Sequence, residues 1–167
     1  FVTEAKRQVL GDVGIDSLAG PSEVLIVADH TADPEFLAID LLAQAEHDPN
    51  SKAILVCTDR ATIDETMKEM DRLITTLNTE DVCRQSWKDN GAIYLADSMQ
   101  EAIDLANEIA PEHLEIETDN EREVAQQMRH YGSLFVGHYA PVAFGDFVSG
   151  PNHTLPTMGT ARYSNGV

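Results

Sequence analysis

Gln44 and His47 stand three residues apart at the end of a stretch, Phe36 to His47, whose apolar residues recur at helical spacing. On a helix, that spacing turns both side chains out of one face. An amide oxygen and an imidazole nitrogen side by side are donors that a borderline cation accepts, and an apolar helix end rarely needs both. The plainer reading is a solvated last turn, with Gln as a helix former and a terminal His complementing the helix dipole. Asp146, in the glycine-punctuated segment Gly145 to His153, adds a hard anionic oxygen. Gln44, His47 and Asp146 together suit Zn²⁺ with a position left open, the catalytic type, if the fold joins them. Asn152 and His153 share the Asp146 segment, and long loops of this kind seldom persist without a ligand to order them. The alternative there is an Asx-turn loop with a surface His.

Pro111-Glu112-His113-Leu114 sets an acid beside an imidazole where a helix gives way to a strand. Neighbours on a strand point to opposite faces, but at such a turn both can reach one cleft and divide acid and base work. The competing reading is a turn with a capping carboxylate and a surface His. His30, His130 and His138 have no partner at ligand spacing and read as surface or strand-end residues.

The elements that must position these groups alternate. Val24 to Ala28 and Ala53 to Cys57 are continuous apolar runs of the kind buried in parallel sheets, Gly91 to Leu95 is a third strand, and Ser133 to Val136 is the last. Leu114 to Thr118 alternates, which predicts a strand nearer an edge. Between the strands fall helices: one capped by Asp33 with Pro34 at its first position, one from Ala61 to Leu77, and one from Glu80 to Lys88 with Trp87 packed on the domain. A further helix runs from a Ser98/Glu101 capping box to Ile109, and another from an Asn120 cap to about Tyr131. The fold class is α/β, Rossmann-like in its layering, with a mostly parallel sheet and helices on both faces. No G-x-G-x-x-G or P-loop appears, and ligands are expected beyond the carboxyl ends of the strands, such as Ala28-Asp29 and Val136-Gly137. The expected organisation is a hinge or orphaned segment over 1–20, an α/β domain over 21–137, and an active-site loop and tail over 138–167.

With 167 residues, 43% of them hydrophobic, the chain fits one domain with a real core. Its 11 basic and 29 acidic residues give a net charge of −18, which argues against nucleic acid or anionic membrane as partner. No apolar run nears the ~20 residues of a membrane span and no charged-then-apolar leader opens the chain, so neither export nor insertion is expected. Cys57 and Cys83 form no C-x-x-C pair, so a disulfide framework or thiolate zinc site is not expected, and a reducing cytoplasm fits best. Phe1 is not an initiator and the tail after Thr154 lacks periodicity, so the chain reads as a fragment of a longer protein.

Four motifs in this order and register, Gly14-Ile-Asp with Ala19-Gly-Pro-Ser-Glu23, Gln44-Ala-Glu-His-Asp48, Ala110-Pro-Glu-His-Leu-Glu115, and Gly145-Asp with Ser149-Gly-Pro-Asn-His153 and Leu155-Pro-Thr157, resemble the histidinol dehydrogenase family. The likeness spans essentially the whole chain. It implies a zinc- and NAD-dependent enzyme of histidine biosynthesis that oxidises L-histidinol through L-histidinaldehyde to L-histidine, working as a homodimer of incomplete Rossmann-like domains. Matched by motif, Gln44, His47 and Asp146 correspond to zinc ligands, Glu112 and His113 to the acid–base pair. Ser22 and His153 correspond to substrate-contacting positions, and Gln44, His47, His113 and Asp146 also face the substrate.

The family's fourth zinc ligand is a His of a C-terminal segment supplied across the dimer, and its dinucleotide site lies mainly in a preceding domain; neither is expected in this span. Val142 stands where many members carry Glu, and Phe147 where Tyr is common. The expectation is therefore that these residues alone bind zinc weakly and are inactive, while the parent is the dehydrogenase. Readings from other classes are a non-catalytic α/β binding or assembly module and a zinc hydrolase. The hydrolase lacks the second helical His that H-E-x-x-H provides.

Overall fold

Glu23–Ala28 forms the strand β1, and all six residues are buried, which an apolar run of this kind tolerates only when both faces are covered. The computed structural model describes residues 1–150 and 154–164. β1 lies at the centre of a parallel sheet with β2 (Lys52–Cys57), β3 (Ala92–Leu95), β4 (His113–Glu117) and β5 (Ser133–Val136), in the order β3-β2-β1-β4-β5. The helices are α1 (Val2–Val9), α2 (Pro34–Ala45), α3 (Arg60–Ile74), α4 (Glu80–Asn90), α5 (Met99–Ile109), α6 (Glu121–Ala125) and α7 (Val142–Phe147), followed by a 3-10 turn at Thr160–Arg162.

The period of two along each strand divides the core. Val24, Ile26, Ala28, Leu55 and Cys57 pack under α2, α3 and α4 with Leu37, Leu41, Ile63, Met70 and the half-buried Trp87. Leu25, Val27, Val56, Leu114 and Ile116 pack on the opposite face under α5 and α6 with Ile103, Ala106 and Val124. The caps explain where the helices start. Asp33 accepts from the Glu35 N–H at 2.9 Å ahead of Pro34, and Asp59 accepts from Thr62 at 2.8 Å. Ser98 accepts from the Glu101 N–H at 3.2 Å while Glu101 reaches back to the Asp97 N–H at 2.7 Å. α1 buries none of its residues and is tied to the loop that follows it, through Lys6 to Asp16 at 2.5 Å and the Thr3 hydroxyl to the Ala19 carbonyl at 3.3 Å. Among the described residues no helix is long and apolar enough to cross a membrane.

β4 lies nearer an edge, as expected, between β1 and the edge strand β5, but its alternating polar residues are not exposed: His113, Glu115 and Glu117 turn toward the α2 face while staying buried. Two expectations change. The helix after Asn120 stops at Ala125 and has no side-chain cap, because α5 claims the chain beyond it: Asn107 accepts from the Arg129 N–H at 2.7 Å and donates to the Gln127 carbonyl at 3.1 Å. Asp146 lies within the short helix α7, not in an open loop.

Candidate active site

The described candidate residues come from four stretches that meet at the amino ends of β1 and β4. Ser22 immediately precedes β1, and its carbonyl accepts from the Lys52 N–H at the start of β2 at 3.0 Å. α2 runs antiparallel to β1, so its last turn returns Gln44, and His47 just beyond it, to the same edge. Glu112 and His113 open β4 after the left-handed Ala110 closes α5. That corner is held by the Gly132 N–H on the Pro111 carbonyl at 3.0 Å and the Ser133 N–H on the Glu112 carbonyl at 2.8 Å. After β5 the chain doubles back, and α7 brings Asp146 over β4; Phe36 and Tyr139 meet edge to face at 5.7 Å on the way. The candidate residues therefore gather at the amino ends of these strands, not at the carboxyl ends marked by Ala28-Asp29 and Val136-Gly137. The helix-to-strand turns, which carry the chemistry-bearing residues here, lie at the amino edge of a parallel sheet.

Ser22, Gln44, His47, Glu112, His113, Val142, Asp146 and Phe147 line one cleft of about 280 Å³. Glu112 and His113 are 6% and 7% exposed, and one residue, Glu23, bonds to both. The Glu23 N–H donates to Glu112 Oε2 at 2.9 Å, and His113 Nδ1 lies 2.9 Å from the Glu23 carbonyl. A carbonyl only accepts, so Nδ1 carries the proton and Nε2 of the neutral ring keeps its lone pair. Burial pushes Glu112 up to about 7, reinforced by the charges of Glu23 and Asp146 and opposed by hydrogen bonds from the Glu23 N–H and Ser22. Burial also pushes His113 down, against the Glu23 hydrogen bond. The result is a carboxyl that exchanges a proton near neutrality beside an imidazole that stays uncharged and basic, a pair suited to proton transfer.

Gln44, His47 and Asp146 share the cleft, and their donors, an amide oxygen, an imidazole nitrogen and a carboxylate, fit a zinc ion. Gln44 is 5% exposed with its Nε2 unpartnered, so its amide lacks the full set of bonds a purely structural role would supply. A dinucleotide does not fit in the same way. The turn after β1 is Asp29-His30-Thr31-Ala32-Asp33, without glycine and with two carboxylates where a pyrophosphate would lie. His153 and Asn152 fall outside the described residues.

Sequence reasoning missed a neighbouring group. Asp40, Glu115 and Glu117 bring carboxylate oxygens within 4.8 Å of one another, and Asp40 and Glu115 line a second lobe of about 260 Å³ that shares Gln44, His47, Val142 and Asp146 with the first. Burial pushes Asp40 up to about 6. Burial, with the charges of Asp40 and Asp33, pushes Glu117 up to about 8. Glu115 is driven well above its ordinary range by burial and the charges of Asp40 and Glu117. His138, which has no partner at ligand spacing in the sequence, sets its Nδ1 3.8 Å from Glu117 Oε2. The available signal was Glu115 and Glu117 at alternate positions of a strand whose intervening residues are core.

The sequence model of the family described as histidinol dehydrogenase matches residues 1–167. The chain belongs to the histidinol dehydrogenase family. It is 49% identical over its whole length to the histidinol dehydrogenase of Gluconobacter oxydans strain 621H and 47% identical to histidinol dehydrogenase 1 of Trichormus variabilis, covering 39% of each. The span is thus about two fifths of these family members. The crystal structure of histidinol dehydrogenase from Elizabethkingia anophelis superposes on 99% of the chain with a TM-score of 0.95 at 41% identity, using 38% of that protein. A propionaldehyde dehydrogenase from Clostridium phytofermentans, at 18% identity and a TM-score of 0.56, shares the fold alone. Val142 and Phe147 both line the cleft.

Proposed function

We propose that the cleft is the catalytic part of an L-histidinol dehydrogenase, which oxidises L-histidinol through L-histidinaldehyde to L-histidine with Zn²⁺ and NAD⁺ in a cytoplasmic homodimer. The observation that carries the proposal is the convergence of Ser22, Gln44, His47, Glu112, His113 and Asp146 on one cleft. Gln44, His47 and Asp146 would hold the zinc, which supplies a template for the imidazole and amine of the substrate. Nothing in the described residues matches a dinucleotide-phosphate site, so in this reading the hydride acceptor is held by other parts of the parent.

His113 Nε2 accepts the hydroxyl proton as the alcohol is oxidised, because its Nδ1 is already committed to Glu23. Glu112, ionised above about 7, removes a proton from the water that adds to the aldehyde. Ser22, beside Glu112 at the cleft wall, contacts the substrate, as does His153 by motif. The 167 residues alone are expected to bind zinc weakly and to show no turnover, since three donors, two at the end of α2 and one on α7, leave the ion incompletely held. The test is histidinol-dependent NADH formation by the full-length parent. Glu112→Gln and His113→Asn each lower kcat by about 10²- to 10⁴-fold, whereas unchanged rates in both would leave a non-catalytic binding module as the better reading.

A further inference from the structure

Glu23 is 3% exposed, and the proposed chemistry does not use its carboxylate. The β1–β4 ladder begins with the pair Val24–His113, in which the Glu23 C=O accepts from the His113 backbone N–H, so the Glu23 N–H has no ladder partner there. The Glu112 carboxylate takes that N–H and the His113 ring Nδ1 shares the C=O, each at 2.9 Å. The Glu23 carboxylate is anchored in turn: Oε1 accepts from the Met158 N–H at 3.0 Å and from the Lys52 ammonium at 3.2 Å. The segment that supplies Met158 is also tied ahead of β1 by the Gly20 N–H on the Thr157 hydroxyl at 2.7 Å. Separated parts of the chain therefore lock one residue, and that residue bonds both the carboxyl and the imidazole.

We infer that Glu23 is the positioning residue of the Glu112–His113 pair: its buried carboxylate pins the start of β1 between Lys52 and Met158, so that its own N–H and C=O orient Glu112 and hold His113 in the Nδ1–H tautomer. The inference rests on the reading of Glu112 and His113 as the acid–base pair. The surroundings make the carboxylate specific. A side chain of equal size without an acceptor leaves the part-buried Met158 N–H unmatched and the half-exposed Lys52 ammonium without its carboxylate, and the strand end loosens.

The experiment is ¹⁵N NMR of histidine-labelled 167-residue chain above neutral pH, with amide exchange read at Glu23. The native chain shows a single Nδ1–H tautomer at His113 and slow exchange of the Glu23 N–H. Glu23→Leu, which fills the volume without an acceptor, mixes the tautomers and speeds exchange. Glu23→Gln, whose amide oxygen still accepts from Met158, restores both. If the Leu variant does not fold, Glu23→Asp, which withdraws the acceptor by one methylene while keeping the charge, gives the same reading. In the full-length parent the Leu or Asp variant lowers kcat about tenfold to a hundredfold with little change in KM, and Gln recovers most of the loss. A folded Leu or Asp variant that keeps the native tautomer and slow exchange overturns the inference. A parent without histidinol oxidation whose His113 still responds to Glu23 removes the functional reading and leaves the clamp standing.

Discussion

The backbone N–H of Val142 donates to the buried Glu115 Oε1 at 3.0 Å, joining the covered face of β4 to the first turn of the helix that carries Asp146. Glu115 thus acts on Asp146 through α7. In the full-length parent Glu115→Ala is expected to weaken zinc retention about tenfold to a hundredfold, as supporting groups around a metal site commonly do. Glu115→Gln keeps an acceptor for Val142 and retains the metal. Metal content after dialysis against a graded chelator reads this, and equal loss in both variants would contradict the link.

Glu117, 3% exposed and held at about 8 against an ordinary 4.5, makes stability pH-dependent. Its folded-state pKa is raised, so the folded protein binds the proton more tightly than the unfolded chain does. The contribution is complete below about 4.5 and is lost as pH rises through about 8. Glu117→Gln should remove that dependence, flattening thermal stability between acidic and mildly alkaline buffers by an amount on the order of a few kcal/mol. Parallel slopes for the native and variant chains across this range would argue that Glu117 ionises without cost.

Glu112, pushed up to about 7, sets the expected pH profile of the parent. In the proposed role of base it works ionised, so under that proposal conversion of histidinaldehyde to histidine should rise with pH through about 7. That limb should vanish in Glu112→Gln, leaving a low, flatter rate. Persistence of the limb in the variant would assign it to another group.

Gly132 has no room for a side chain, since a Cβ there would sit 2.5 Å from the Glu112 carbonyl oxygen. Backbone is the obstacle, so it cannot swing aside as a side chain tip would. Gly132→Ala should cost about 1–3 kcal/mol of stability in urea titrations and disturb the start of β4, with broadened His113 signals. An alanine variant of native stability would show that the corner yields more easily than its packing suggests.

Much of the α/β layering was legible because buried parallel strands leave a composition signal. Val24 to Ala28 and Ala53 to Cys57 are apolar without interruption, and Asp33-Pro34 and Ser98 with Glu101 mark helix starts by local chemistry. Local chemistry misleads where a long-range partner decides. The alternation of Leu114-Glu-Ile-Glu placed it nearer an edge but gave no sign that it is covered on both sides, which follows because α7 returns over its acidic face. The helix from Asn120 was overextended because Asn107 on another helix claims the chain after it.

The sequence by itself determined which residue types were available for chemistry and which short spacings they keep, since Gln44 with His47, and Glu112 with His113, are set by their neighbours in the chain. Only the tertiary structure decided that these pairs and Asp146 meet at the amino edge of the sheet, that Glu23 bonds to both Glu112 and His113, and that Asp40 stands against Glu115 and Glu117. Those relations join residues far apart in the chain, and proton affinity depends on burial and nearby charge, neither of which exists until the sheet and its covering helices have closed.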